Sequence, residues 1–204
     1  MKIDTLPIGL YDENIYILHE NDKVLIIDPG NHADKIIDKI NKNEKVQGIL
    51  ITHGHYDHTG AVDDIYDYYQ APVYIDSNDE LLVKTKGTAY SGGCEKNIYC
   101  PLSYYSYGQM KIGDFDLEIY HTPGHTAGSV CIKYKNVLFT GDTLFAQSIG
   151  RTDFFSGNDF EMQKSLEFLK TLPNDIVIYP GHGPKSTIGH EKKMNYYLNH
   201  PLSL

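Results

Sequence analysis

The sequence predicts an α/β fold in four layers: two β-sheets face to face with helices outside. Three observations predict it. Short apolar runs of strand length are interspersed with segments of helical period. Each half of the chain opens with strands and closes with helices, a pattern that two helix-covered sheets satisfy. No low-complexity tract, long linker or charge block divides the 204 residues, so one domain over 1–204 is expected.

The first half starts with strands at 3–8, 15–19 and 24–28. The third stops at Asp28-Pro29-Gly30, a turn signal. Asn31 is placed to cap a helix in which Ala33, Ile36, Ile37 and Ile40 recur at helical spacing. Residues 49–52 lack alternation and read as a buried strand. A helix at 60–69, a strand at 73–75 and a helix at 79–85 follow. Residues 87–103 read as irregular. Strands return at 104–107, 117–121, 129–134 and 137–140, with a hairpin around Ile112-Gly113-Asp114-Phe115 and a tight turn at Asn136. Asn158, with Glu161 three residues on, caps a helix over 159–172. Residues 176–179 form the last buried strand, and Thr187 caps a helix to about Tyr197.

Composition narrows the function classes. Hydrophobic residues make up 41% of the chain, enough for a sizeable core. The net charge of -9 and the lack of a basic stripe argue against a nucleic-acid partner. No apolar run is long enough to span a bilayer, and the first residues read as a strand rather than a cleavable leader. Three cysteines, Cys94, Cys100 and Cys131, give no disulfide framework, so a reducing, cytoplasmic location is expected. Oligomeric state has no signature here.

Chemistry concentrates at His53-Gly54-His55-Tyr56-Asp57-His58, directly after the buried strand. Imidazole and carboxylate suit zinc, iron or manganese. His53 and His55 alternate and share one side; Asp57 and His58 follow on the turn into a helix, aimed elsewhere. Such spacing can serve two metals. Three further segments repeat the pattern of strand, sharp turn and ligand: His121-Thr122-Pro123-Gly124-His125, Thr140-Gly141-Asp142 and Tyr179-Pro180-Gly181-His182. Taken singly, a histidine in a Pro-Gly turn is usually a solvent-facing loop residue. Together the segments supply five histidines and two aspartates at strand ends, so convergence on one rim is the economical reading.

These motifs, with Gly141-Asp142-Thr143-Leu144 and Gly150-Arg151-Thr152-Asp153, resemble the metallo-β-lactamase superfamily, and within it the short bacterial glyoxalase II-like (hydroxyacylglutathione hydrolase-like) hydrolases. The resemblance implies an αββα sandwich of two mixed sheets and a binuclear centre. It places His53, His55 and His125 on a first metal, Asp57, His58 and His182 on a second, and Asp142 between them. It implies two divalent ions as cofactors, zinc first, with iron or manganese as alternatives. Asp28 is implied as a partner of a ligand ring, ahead of Thr126 and Ser129. His19, His32, His121, His190 and His200 match no ligand position.

Of 18 basic residues only Arg151 is an arginine. A planar, bidentate donor has two uses here: pairing with Asp153 or another carboxylate to brace the loop after Asp142, or binding a carboxylate of the substrate. Larger glyoxalase II enzymes carry an additional C-terminal helical region that supplies much of the glutathione site. No such region is expected here, so the thiol carrier stays open. Tyr90, Tyr99 and Tyr104 are read as packing residues of a Tyr-rich chain, with lining of the entrance as the alternative.

The expected function is hydrolysis of a small thioester such as S-lactoylglutathione by a metal-bridging hydroxide, with catalytic Asp57 orienting the nucleophile. The alternatives are a lactonase or other ester hydrolase of this fold, and a persulfide dioxygenase. Dioxygenase relatives carry a segment similar to Gly150-Arg151-Thr152-Asp153-Phe154 and hold one iron at the equivalents of His53, His125 and Asp142.

Overall fold

The structure, a computed structural model, describes residues 1–8, 12–85 and 97–202. Its first sheet contains β1 (Lys2–Ile8), β2 (Glu13–Glu20), β3 (Lys23–Ile27), β4 (Lys45–Leu50), β5 (Val73–Ile75) and β6 (Leu102–Tyr104), side by side in chain order. β1, β2 and β3 pair antiparallel. β3 to β6 pair parallel, and parallel neighbours need crossovers. These are supplied by α1 (Ala33–Ile37), by α2 (Tyr56–Thr59) with α3 (Val62–Tyr69), and by α4 (Glu80–Lys84).

The second sheet contains β7 (Gly108–Ile112), β8 (Phe115–His121), β9 (Val130–Tyr134), β10 (Val137–Gly141), β11 (Val177–Pro180) and β12 (Ser186–Thr187). Its one parallel pair, β10 with β11, is joined through α5 (Asp159–Thr171). α6 (Ile188–Met194) and α7 (Tyr196–Asn199) complete its cover. Both sheets are therefore mixed, as the family resemblance implies.

The period-2 alternation of strand side chains sorts the apolar residues into three layers. On β2 and β3, Ile15, Ile17, Val24 and Ile26 face outward and pack with Ile36, Val62 and Ile65 of the helices. Their neighbours Tyr16, Leu18, Leu25 and Ile27 face inward and meet Ile119, Ile132 and Phe139 of the second sheet. On the far side Cys131, Leu138 and Ile178 pack against Met162, Leu166 and Leu169 of α5. Burial on both faces is why the central strands read as unbroken apolar runs. Among the described residues, no helix is long and apolar enough to cross a membrane.

Several local expectations need correction. Asn31 does not cap α1: the cap residue is His32, in a left-handed conformation, and Asn31 Oδ1 instead accepts the His32 N–H. The helix expected at 60–69 forms as α3 from Val62; a separate short helix, α2, precedes it unforeseen, and between the two Ala61 N–H turns to the Pro29 carbonyl. The strand expected at 104–107 is displaced: β6 ends at Tyr104, and the Tyr107 hydroxyl bonds Asp76 instead. The tight turn expected at Asn136 does form, as Lys135-Asn136 between β9 and β10, with Lys135 in the left-handed conformation. The expected caps do form: Asn158 Oδ1 accepts Glu161 N–H and Thr187 Oγ1 accepts His190 N–H. Tyr90 and Cys94 lie outside the described residues. Tyr99 and Tyr104 are exposed rather than part of the core, and neither is among the residues that wall the histidine-lined cavity.

Candidate metal centre

The C-terminal ends of β3, β4, β10 and β11 open onto one rim, and the ligand-bearing loops leave from there. His53 follows β4, and His55, Asp57 and His58 lie on or beside α2. His125 sits between β8 and β9, Asp142 directly after β10, and His182 just past β11. The structure brings all seven together. Their donor atoms form three overlapping groups: His53, His55 and His125; His53, His58 and Asp142; Asp57, His58 and His182. Within each group all donor atoms lie within 4.8 Å of one another. Asp142 reaches both ends: Oδ1 is 3.3 Å from His58 Nε2, and Oδ2 is 3.4 Å from His125 Nε2 and 3.6 Å from His182 Nε2.

Outer contacts turn these rings inward. His58 Nδ1 is 2.9 Å from Asp28 Oδ2, which leaves Nε2 facing the group. His125 Nδ1 donates to the Arg151 carbonyl at 2.6 Å. Thr126 and Ser129 meet no ligand ring; they bond each other, and Thr126 also bonds Asp79. Close approach at Gly181 is part of the construction: a Cβ there would stand 2.2 Å from Asp142 Oδ1 and 2.7 Å from His58 Cε1.

Electrostatics fit a cation-binding set. Burial pushes His53 far below its ordinary range and brings His55 down to about 3, with neighbouring imidazoles adding to both shifts. Neutral imidazole is the ligating form. Burial opposes the charge on His58, but Asp142, Asp28 and Asp57 outweigh it and hold the ring well above its usual range. Burial likewise disfavours ionised Asp57 and Asp142, but His58 and its neighbours keep both below the usual carboxylate range. Buried His53 Nε2, His55 Nε2 and Asp142 Oδ1 have no hydrogen-bond partner. Leaving buried polar atoms unsatisfied is costly, and metal coordination is the natural complement for such a donor set. The residues present therefore fit divalent ions.

Five of the seven, His55, Asp57, His125, Asp142 and His182, floor a cavity of about 350 Å³ whose other walls are Phe145, Gly150, Arg151 and Phe154. The Phe154 ring stands edge-on to His55 at 5.7 Å, and the Phe145 ring edge-on to His182 at 5.8 Å. Arg151 adopts the bracing arrangement while lining the cavity. Its Nε and one terminal nitrogen donate to the two oxygens of Asp153 at 2.6 and 2.7 Å, and the guanidinium lies 3.8 Å from the Phe154 ring centre. Phe145 was not marked by its sequence neighbourhood, since a Phe in a loop carries no pattern; Phe154 was noted only as the end of the Gly150-Arg151-Thr152-Asp153-Phe154 segment, not as a wall of the site. Asp79 was also missed; it reads as an ordinary helix-start acid.

A four-layer sandwich with histidines and aspartates from both sheets at one rim defines a protein with a candidate metal centre. The sequence pattern of the metallo-β-lactamase superfamily matches residues 8–182, and the chain belongs to that superfamily. A probable metallo-hydrolase of Bacillus subtilis is 36% identical, with 98% of both chains covered. The hydroxyacylglutathione hydrolase GloC of Haemophilus influenzae is 35% identical over 98% of this chain and 99% of its own. Among solved structures, the BLEG-1 B3 metallo-β-lactamase superposes with a TM-score of 0.91 at 32% identity, over 98% of this chain and 100% of that one. TTHA1623 in a di-iron-bound form gives 0.86 at 29% identity, over 95% and 99%. The protein is thus a metallo-hydrolase of this superfamily with a candidate metal centre.

Proposed function

We propose that the protein hydrolyses a small thioester of the S-lactoylglutathione type at a two-metal centre. The observation that carries this reading is the cavity floor, where five of the seven clustered donor side chains, His55, Asp57, His125, Asp142 and His182, lie beneath an aromatic slot. His53, His55 and His125 would hold one divalent ion, Asp57, His58 and His182 the other, with Asp142 reaching both. Zinc is the first choice, with iron or manganese as alternatives. The bound ions would supply activation of water and neutralisation of charge on the carbonyl oxygen.

The chain supplies the rest. Asp57, ionised and on the cavity floor, accepts a hydrogen bond from the attacking water and orients its lone pair toward the acyl carbon. The water oxygen bonds to that carbon, the C–S bond breaks, and the products are a carboxylic acid and a thiol. Phe145 and Phe154 flank the reacting group and limit bulk water. Arg151 sits at the wall where a carboxylate of the substrate can exchange with Asp153. Similarity to GloC supports the thioester class.

The test is a panel of thioesters, lactones and a persulfide, run on protein whose metal content has been measured. Thiol release with two equivalents of metal is expected. One equivalent of iron with oxygen uptake on the persulfide would instead establish the dioxygenase reading, which Gly150-Arg151-Thr152-Asp153-Phe154 motivates.

A further inference from the structure

Asp79 closes a short 3-10 turn (Ser77–Asp79) between β5 and α4 and is completely buried. It does not line the cavity and belongs to none of the donor groups. Its carboxylate nevertheless reaches both loops that carry the first group. Oδ2 accepts the Gly54 N–H at 2.8 Å and the Thr126 hydroxyl at 2.7 Å, and Oδ1 accepts the Gly128 N–H at 2.8 Å. Gly54 lies between His53 and His55; Thr126 follows His125. One buried side chain therefore fastens the backbone of the β4–α2 loop to the backbone of the β8–β9 loop.

The fit has no slack. A Cβ on Gly128 would stand 2.6 Å from Asp79 Cγ. Hydrogen bonds to an ionised acceptor are short and strong, and a buried carboxylate is tolerated only when its oxygens are satisfied. The second donor group is held by other contacts: Asp28 on His58, and Asn14, whose N–H bonds the Gly181 carbonyl beside His182.

We propose that Asp79 is the positioning residue of the first donor group. It sets the spacing of His53, His55 and His125, and so the affinity of that group for its cation, without acting on Asp57, His58 and His182. This rests on the ligand grouping given under the proposed function and is independent of the thioester assignment.

The probe is zinc alone, titrated into chelator-stripped full-length protein against a competing chelating indicator. Two single-site backgrounds separate the groups: His182→Ala weakens the second, and His125→Ala weakens the first. Asp79→Asn is isosteric, but its amide nitrogen must face a donor. In the His182→Ala background, zinc affinity is expected to fall about 10–100-fold, the usual effect of losing an outer contact. In the His125→Ala background the remaining affinity is expected to stay unchanged. Equal losses in both backgrounds, or none in either, overturn the proposal, because a general packing role would not choose between the sites. If Asp79→Asn does not fold, Thr126→Val removes one of the three bonds and keeps the carboxylate. A smaller loss with the same site preference is then expected, and absence of that preference overturns the proposal. Wild-type protein that takes up no zinc overturns it together with the ligand grouping, whereas failure of every thioester leaves it standing.

Discussion

His58 Nδ1 lies 2.9 Å from Asp28 Oδ2, and the same carboxylate accepts the backbone N–H and the hydroxyl of Thr52 at 2.7 and 2.6 Å. Asp28 thus fixes the tautomer of His58 and ties β3 to the end of β4. It holds this place in a left-handed conformation, with φ 50°, that Asp tolerates better than most residues. In Asp28→Asn an amide N–H facing His58 Nδ1 would favour the tautomer whose proton sits on Nε2, where the metal must bind. The expected outcome is a 10–100-fold loss of zinc affinity (order of magnitude) in a folded protein, read by competition titration. Unchanged zinc binding would show that Asp28 does not govern the ring.

Asp142→Ala removes the carboxylate that reaches both donor groups, and His55→Ala removes a donor from one. Each change is expected to abolish turnover. Elemental analysis should show less metal bound in both, with the larger loss for Asp142→Ala. Retained activity with either change would falsify the site assignment.

Arg151→Lys tests which use of the guanidinium matters. The pair with Asp153 is exposed, and exposed ion pairs contribute little to stability, so only a small loss in melting temperature is expected. If Arg151 also holds a carboxylate of the substrate, KM rises while kcat and bound metal stay constant. A large drop in melting temperature with unchanged KM would make bracing its main role.

Cys100 and Cys131 are free thiols buried in separate apolar layers, and burial pushes both up to about 12. The thiolate is the reactive form, so both should resist alkylation at pH 8 in the native protein. Mass spectrometry after iodoacetamide treatment should find them modified only once denaturant is added. Labelling of Cys131 without denaturant would contradict its placement beneath α5.

Most of the ligand set was legible in the chain because its signals are local. Four ligand-type residues within 53–58, and the Pro-Gly turns before His125 and His182, announce themselves without any partner. The layers were legible for the same reason: two-sided burial leaves unbroken apolar runs such as 49–51. What stayed hidden depends on distant partners. Asp79 is defined by Gly54, Thr126 and Gly128, none of which is near it in sequence. Phe145 and Phe154 gain their role only from standing against His182 and His55. Asn31 carried a good capping signal, but its Oδ1 is taken by the N–H of the next residue, and His32, in a left-handed conformation, holds the cap position.

The donors are divided between the two sheets in a regular way. Each proposed cation takes two protein groups from the first sheet's rim, His53 and His55 or Asp57 and His58. It takes one from the second, His125 or His182, and Asp142 adds a further contact from that side. Neither half of the polypeptide owns a complete coordination sphere. Loading the ions would therefore rivet one half to the other, and binding energy would be shared with the cohesion of the sandwich. Demetallation should loosen the seam at this rim first, leaving the opposite edge clasped.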